Sequence, residues 1–254
     1  MKQGRIVLDQ QARHVTPLAD GKLLLDNGNP LADQPQWLAP TSGTVYGVAL
    51  NHRSLLDKLA ADFQQPPYQK APATPVLFIK PRNTHAGHAS NIALPAQAGK
   101  VFAGGTLGVV IGKTASKLAE EQALDVVAGY TVVNEISLEE SSFYRPAVKA
   151  KCRDGFCPMG PWQVDAASID PLNVEIRSYL NGQLAETNHS RDWLRSVPQL
   201  IAALSQFMTL QPGDVIIPAT PLRQLEIRPG DSVAVEIDGI GRLENRFIAE
   251  ESAQ

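Results

Sequence analysis

Apolar residues along the chain gather in short runs cut by turn residues, the period and length of strands rather than of long helices. VYGVAL (45–50), VLFIK (76–80), TLGVVIG (106–112), YTVVNEI (130–136), NVEIRSYL (173–180), DVIIPA (214–219) and SVAVEIDG (232–239) are the predicted strands. NVEIRSYL runs into Asn181-Gly182, a strong short-range hairpin signal because both residues tolerate positive φ. Pro-Gly-Asp turns at 212–214 and 229–231 each launch an apolar run, so Asp214 and Asp231 read as turn residues. Three helices are predicted. Ser116 caps a segment over 116–129 with Leu118, Ala119, Leu124 and Val127 on one stripe, ending at Gly129. A second, over 197–210, has Pro198 in its first turn and a stripe through Leu200, Leu204 and Phe207. A third covers roughly 53–63. There is no β-α-β rhythm and no GxGxxG, which argues against a dinucleotide-binding fold. The polar, turn-rich residues 1–40 end in a Pro-bearing stretch and are expected to form a small N-terminal lead-in subdomain before a body over 41–254. The fold class expected is mixed α/β with β dominant.

Composition narrows the partners. The 254 residues carry 23 Lys and Arg against 26 Asp and Glu, a net charge of −3. That argues against nucleic acid or an anionic membrane, both of which need a basic surface. No apolar run reaches the ~18 residues of a membrane span, and MKQGRIVLDQQARH lacks the apolar centre of a secretory signal. Cys152 and Cys157 make no disulfide framework and lack CxxC spacing. A cytoplasmic location is expected.

Against this acidic background, YRPAVKAKCRD (144–154) carries Arg145, Lys149, Lys151 and Arg153. By charge pattern alone it reads equally as a solvated basic face or as an anion pocket. His85-x-x-His88 has metal-ligand spacing, but its Gly-bearing loop holds no carboxylate or thiolate, and a surface loop is expected. His52 reads as packed or exposed rather than as an acid/base. Cys152, with no orienting His evident, reads as a small buried residue. Of the adjacent Glu139 and Glu140, at most one points inward.

Seven segments in order resemble the fumarylacetoacetate hydrolase family. VYGVALNHR (45–53) is similar to its "GVGLNY" opening, PVLFIKPRN (75–83) to "P-x-x-F-x-K-P", and GTLGVVIGK (105–113) to "E-L-x-V-V-I-G-K". VVAGYTVVNEIS (126–137) resembles "V-A-G-Y-T-V-x-N-D-x-S", and KCRDGFCPMGPW (151–162) resembles "K-S-x-D-x-F-x-P-x-G-P-W". LQPGDVIIPATP (210–221) and LEIRPGDSVAVEIDGIGRLENR (225–246) resemble the closing motifs. The resemblance implies a curved β-sheet body with few peripheral helices. ALNHRS, SFYRPAVKAKCRDGFCP and SQFMTLQPGD look closest to a branch acting in 4-hydroxyphenylacetate breakdown. Its members decarboxylate 5-oxopent-3-ene-1,2,5-tricarboxylate and isomerise the 2-hydroxyhepta-2,4-diene-1,7-dioate formed.

The resemblance also implies a site. The family holds Mg²⁺ or another divalent cation with an "E-x-E" pair and the aspartate of "N-D", and uses a His–Glu acid/base pair. Aligned by the flanking motifs, the "E-x-E" positions are Gly104 and Thr106, the aspartate is Glu135, and the His and Glu are Leu55 and Lys58. Glu135 is thus the one surviving metal carboxylate. The implied catalytic residues are Lys151 and Glu135, with Asn51, Lys80, Arg145, Lys149, Arg153, Asp154 and Thr220 as substrate contacts, and the match at Lys151 and Arg145 tips the basic run toward an anion pocket. A small unsaturated di- or tricarboxylate is the expected ligand, in a homodimer or a heteromer with a homologous subunit. Two readings stay open: an active subunit using Lys151 as its cation, or a catalytically depleted partner of a metal-bearing homologue.

Overall fold

The computed structural model describes residues 1–32, 34–66, 68–96, 99–140, 146–220 and 225–250. The chain opens on a hairpin, β1 (Lys2–Leu8) with β2 (Gln11–Pro17), followed by β3 (Leu23–Leu25) and β4 (Gln36–Leu38). Then come β5 (Val45–Ala49), α1 (Arg53–Lys58), β6 (Val76–Lys80), β7 (His85–Ala86) and β8 (Asn91–Leu94). Two long strands follow, β9 (Val101–Ile111) and β10 (Val127–Leu138), and then α2 (Val148–Lys151) and β11 (Cys157–Asp165). The remainder is β12 (Glu175–Leu180), β13 (Gln183–His189), α3 (Val197–Ser205), β14 (Val215–Ile217), β15 (Leu225–Ile227), β16 (Ser232–Ile237) and β17 (Gly241–Ala249).

Twelve strands form one sheet, with the path β3-β2-β1-β11-β10-β9-β14-β5-β6 and β4, β7 and β15 joined at its sides. Five form a second, β13-β12-β16-β17-β8. β9 and β10 run antiparallel through the middle of the larger sheet, and nearly every residue of both is buried. Strands covered on both faces need continuous apolar runs, which is why TLGVVIG and YTVVNEI do not alternate. Leu107, Val109, Tyr130 and Val132 pack against Ile176, Val235 and Leu243 of the second sheet and Ile201 of α3. Successive side chains alternate across a strand. The register Glu135↔Gly104 and Val133↔Thr106 therefore puts Gly104, Thr106 and Glu135 on the face turned away from that core.

The predicted strands stand, several with longer or shorter ends. Asn181 (φ 50) and Gly182 (φ 79) make the β12–β13 turn, and Gly213 (φ 90) and Gly230 (φ 102) sit in the two Pro-Gly-Asp turns. Asp214 accepts from the Thr44 amide at 2.9 Å and the Gln211 amide at 2.8 Å, and Asp231 from the Arg228 amide at 2.8 Å. Residues 1–40 supply β1–β4, and β1 pairs with β11.

The helices differ more. Between 116 and 129 only a 3-10 turn forms, over Glu120–Val126, because Ala119 is extended and Val127 already pairs with Ile111. The amides of Lys117 and Leu118 are held by Ser205 at the end of α3, so the Ser116 end cannot wind. α3 begins on a full capping box, Ser196 with Gln199, but stops at Ser205, leaving Phe207 68% exposed rather than on the buried stripe. The segment 53–63 yields only α1 and the start of a further 3-10 turn over Asp62–Gln64. No described helix is long and apolar enough to cross a membrane.

Candidate active site

β6 is the last strand on the path of the larger sheet and pairs only with β5 there. Alternation along VLFIK turns Phe78 and Lys80 inward and leaves Ile79 half exposed. α2, a single turn of four residues, buries Lys151 alone of its side chains. Both ammonium groups meet Glu135 on the outer face of β10. Lys80 Nζ lies 2.6 Å from Glu135 Oε1 and donates to the Phe156 carbonyl at 2.9 Å and to the Ile136 carbonyl. Lys151 Nζ is 3.3 Å from each Glu135 oxygen and 2.7 Å from Glu140 Oε1. It also stands 4.5 Å from the centre of the Phe78 ring, a cation–π contact. That ring abuts Gly47, its partner across the β5–β6 ladder: a Cβ there would fall 2.0 Å from Phe78 Cζ.

Burial alone would raise the Glu135 carboxyl, but Lys151 and Lys80 together hold it below its ordinary range, so it stays ionised. Burial likewise works against the Lys151 ammonium, and Glu135 with Glu140 outweighs it, raising the group above its usual value. Lys151 is therefore a permanent cation at neutral pH and not a base. Lys80 goes the other way: burial dominates and lowers it despite Glu135. Burial also pushes the Cys157 thiol up to about 12, leaving it inert.

A divalent cation needs several oxygen ligands in open geometry, and the residues present do not fit one. Gly104 brings no side chain, and the Thr106 hydroxyl donates to the Ala219 carbonyl. Both Glu135 oxygens face ammonium groups, and among the described residues no three His, Cys, Asp or Glu side chains come together to hold a metal. The expected role of Glu135 as a metal ligand gives way to that of counter-ion for two lysines.

The other predicted residues separate. Lys80 was expected to bind substrate. It is 0% exposed, and its three N–H donors match Glu135 and the two carbonyls, so it positions Glu135 instead. Asn51 is likewise committed to backbone, donating to the Arg195 and Pro218 carbonyls at 2.9 and 3.0 Å and accepting from the Arg195 amide at 2.9 Å. It ties the end of β5 to the entrance of α3 and the exit of β14. Thr220, half-buried, follows the Ala219 carbonyl that Thr106 holds. Lys149 and Arg153 line an open groove with Glu139 and Glu250, and Asp154 accepts from Asn83 Nδ2 at 2.6 Å. Arg145 lies outside the described residues.

His52 is packed, with Nδ1 2.7 Å from the Ser54 hydroxyl. His85 belongs to β7 rather than to a loop, and His88 lies in the turn that follows; both are half-buried, and His88 Nδ1 accepts from the Glu244 amide at 3.0 Å. Cys152 is half-buried rather than buried, its thiol 3.3 Å from the Ile79 carbonyl. Glu140 turns toward Lys151 while Glu139 is exposed, both just past the end of β10. Sequence reasoning missed Phe78 as the floor under Lys151, although its place two residues before Lys80 was the available signal.

The two β-dominant sheets thus carry a strand-borne acid and two inward lysines on the outer face of β10. The chain belongs to the fumarylacetoacetate hydrolase family: the model of the fumarylacetoacetate (FAA) hydrolase C-terminal domain matches residues 44–248. It is 49% identical over 209 residues to the 4-hydroxyphenylacetate degradation bifunctional isomerase/decarboxylase of Salmonella dublin, covering 82% of this chain and 48% of that protein. The chain thus spans about half the length of the curated relatives it matches. Among solved structures, 5-carboxymethyl-2-hydroxymuconate delta-isomerase from Mycobacterium smegmatis superposes with a TM-score of 0.83 at 30% identity, covering 99% of this chain and 100% of that one. The 2-hydroxyhepta-2,4-diene-1,7-dioate isomerase from Mycobacterium marinum gives 0.80 at 29% identity, with the same coverage.

Proposed function

We propose that this chain is a subunit of a 5-oxopent-3-ene-1,2,5-tricarboxylate decarboxylase/2-hydroxyhepta-2,4-diene-1,7-dioate isomerase, equivalent to one half of the longer bifunctional relatives. The observation that carries the reading is the 49% identity to such a relative over 82% of this chain. The geometry bears on which step these residues suit. When the carboxylate attached at C2 leaves as CO2, the electron pair of the broken C–C bond passes through the neighbouring alkene to the 5-oxo oxygen. The ammonium of Lys151, kept protonated by two carboxylates, stabilises that dienolate, and protonation on oxygen gives the 2-hydroxydiene. Glu135 fixes Lys151, and Lys80 fixes Glu135. Lys151, with Arg145, Arg153 and Thr220, is proposed to receive the remaining carboxylates.

Isomerisation must also move the enol proton to C5, and the acid/base positions on α1 hold Leu55 and Lys58. Decarboxylation is therefore the step assigned to this subunit. Gly104, Thr106 and Leu55 favour a second reading, in which the chain supports a homologous subunit that keeps the carboxylates and the His. A cytoplasmic hetero-oligomer accommodates either.

The test is turnover of the conjugated tricarboxylate by the purified chain, followed by absorbance and CO2 release, with and without chelator. The first reading expects decarboxylation indifferent to chelator, and a fall of ~10²-fold or more in Lys151→Met. Activity only after adding a homologous subunit with intact "E-x-E" supports the second, and no activity in either case overturns the assignment.

A further inference from the structure

We propose that Glu140 holds the seat on Lys151 that a carboxylate of the substrate takes, so that Glu140 is an internal competitor setting the affinity of the site for carboxylates. The inference rests on reading the site as a carboxylate pocket. Its first support is charge. Among the described residues, Lys80 and Lys151 against Glu135 leave one buried positive charge uncompensated, and Glu140 brings the cluster to neutrality. Burying an uncompensated charge is costly, so Lys151 needs a second carboxylate in every state of the site. One carboxylate replacing another preserves that balance.

The two acids on Lys151 are not equivalent. Glu135 is 0% exposed and held within the β9–β10 ladder opposite Gly104. Glu140 is 15% exposed and stands past the end of β10, beyond the Glu139 amide that donates to the Lys100 carbonyl at 3.1 Å. Its contact to Lys151, at 2.7 Å, is nonetheless shorter than the 3.3 Å to Glu135. A short ion pair on the solvent side, anchored by a residue outside the sheet, is the contact a ligand carboxylate can exchange at least cost. The rigid inner pair then keeps the ammonium aimed at the ligand.

Calorimetric titration with fumarate and with propane-1,2,3-tricarboxylate, neither of them the proposed substrate, tests this on the full chain. Glu140→Gln is expected to bind both about tenfold more tightly than the wild type, with the same probes raising its melting temperature more. Glu140→Asp stays near the wild type. Glu140→Gln combined with Lys151→Gln, which leaves the neutral Lys80–Glu135 pair intact, loses the binding. Equal or weaker binding by Glu140→Gln, or no binding by any variant, overturns the proposal. If Glu140→Gln binds more tightly while the tricarboxylate is never turned over, the seat stands and the assigned reaction falls.

Discussion

Replacing Glu135 with Gln would leave Lys80 and Lys151 buried side by side with one acid removed. Removing one partner of a buried ion pair costs about 3–5 kcal/mol, and that loss is expected in urea unfolding of Glu135→Gln at neutral pH. The pH dependence has a definite sign. A carboxyl held below its ordinary 4.5 contributes stability that is present above that value and lost as pH falls through the folded value. The gap between wild type and Glu135→Gln should therefore narrow progressively as pH falls below 4.5 towards the folded value; a gap that does not narrow would assign the loss to packing. Lys151, raised above 10.5, contributes in the opposite sense: its share is present below 10.5 and disappears as pH rises through the folded value. At this scale the sequence singled out Lys151 and Glu135 separately, because each sits in a segment that resembles a family motif, but did not show that the two would meet. It left the partners of Lys80 unread, because which acceptors an inward lysine meets depends on Ile136 in β10 and Phe156 just before β11, 56 and 76 residues further along.

At the scale of elements, the site depends on how closely β6 packs beside β5 at the Gly47↔Phe78 pair. Gly47 leaves room for the Phe78 ring, and Phe78 contacts the Lys151 ammonium. In Gly47→Ala the ring must move, with overpacking costs of about 1–3 kcal/mol. Binding of carboxylate probes should weaken together with thermal stability, read by melting and calorimetry on one sample. Unchanged stability would mean that β6 shifts as a unit. Strands were readable from sequence because a buried strand needs an unbroken β-branched run that few other elements tolerate. The 116–129 segment misled because its apolar spacing fits a helix locally. Ser205 on α3 and the ladder to Ile111 decide its backbone instead.

For the whole molecule, the arrangement predicts a protein indifferent to divalent metal at this site. Titration with Mn²⁺, followed by the loss of its electron paramagnetic signal, should show no saturable stoichiometric binding, and chelator should leave the melting temperature unchanged. Stoichiometric binding abolished by Glu135→Gln would show that the lysines yield to a metal. Local pattern by itself determined the β-dominant class, the strand positions, the hairpin at Asn181-Gly182 and the absence of carboxylates at Gly104 and Thr106, since these follow from residue type and nearest neighbours along the chain. Only the tertiary structure decided that Lys80 and Lys151 close on Glu135, that Glu140 balances their charge and that Asn51 is a backbone tie. Those contacts join strands, loops and a single helical turn far apart in sequence. Charge neutrality and hydrogen-bond satisfaction in a buried cluster are properties of the assembled fold, not of any segment in it.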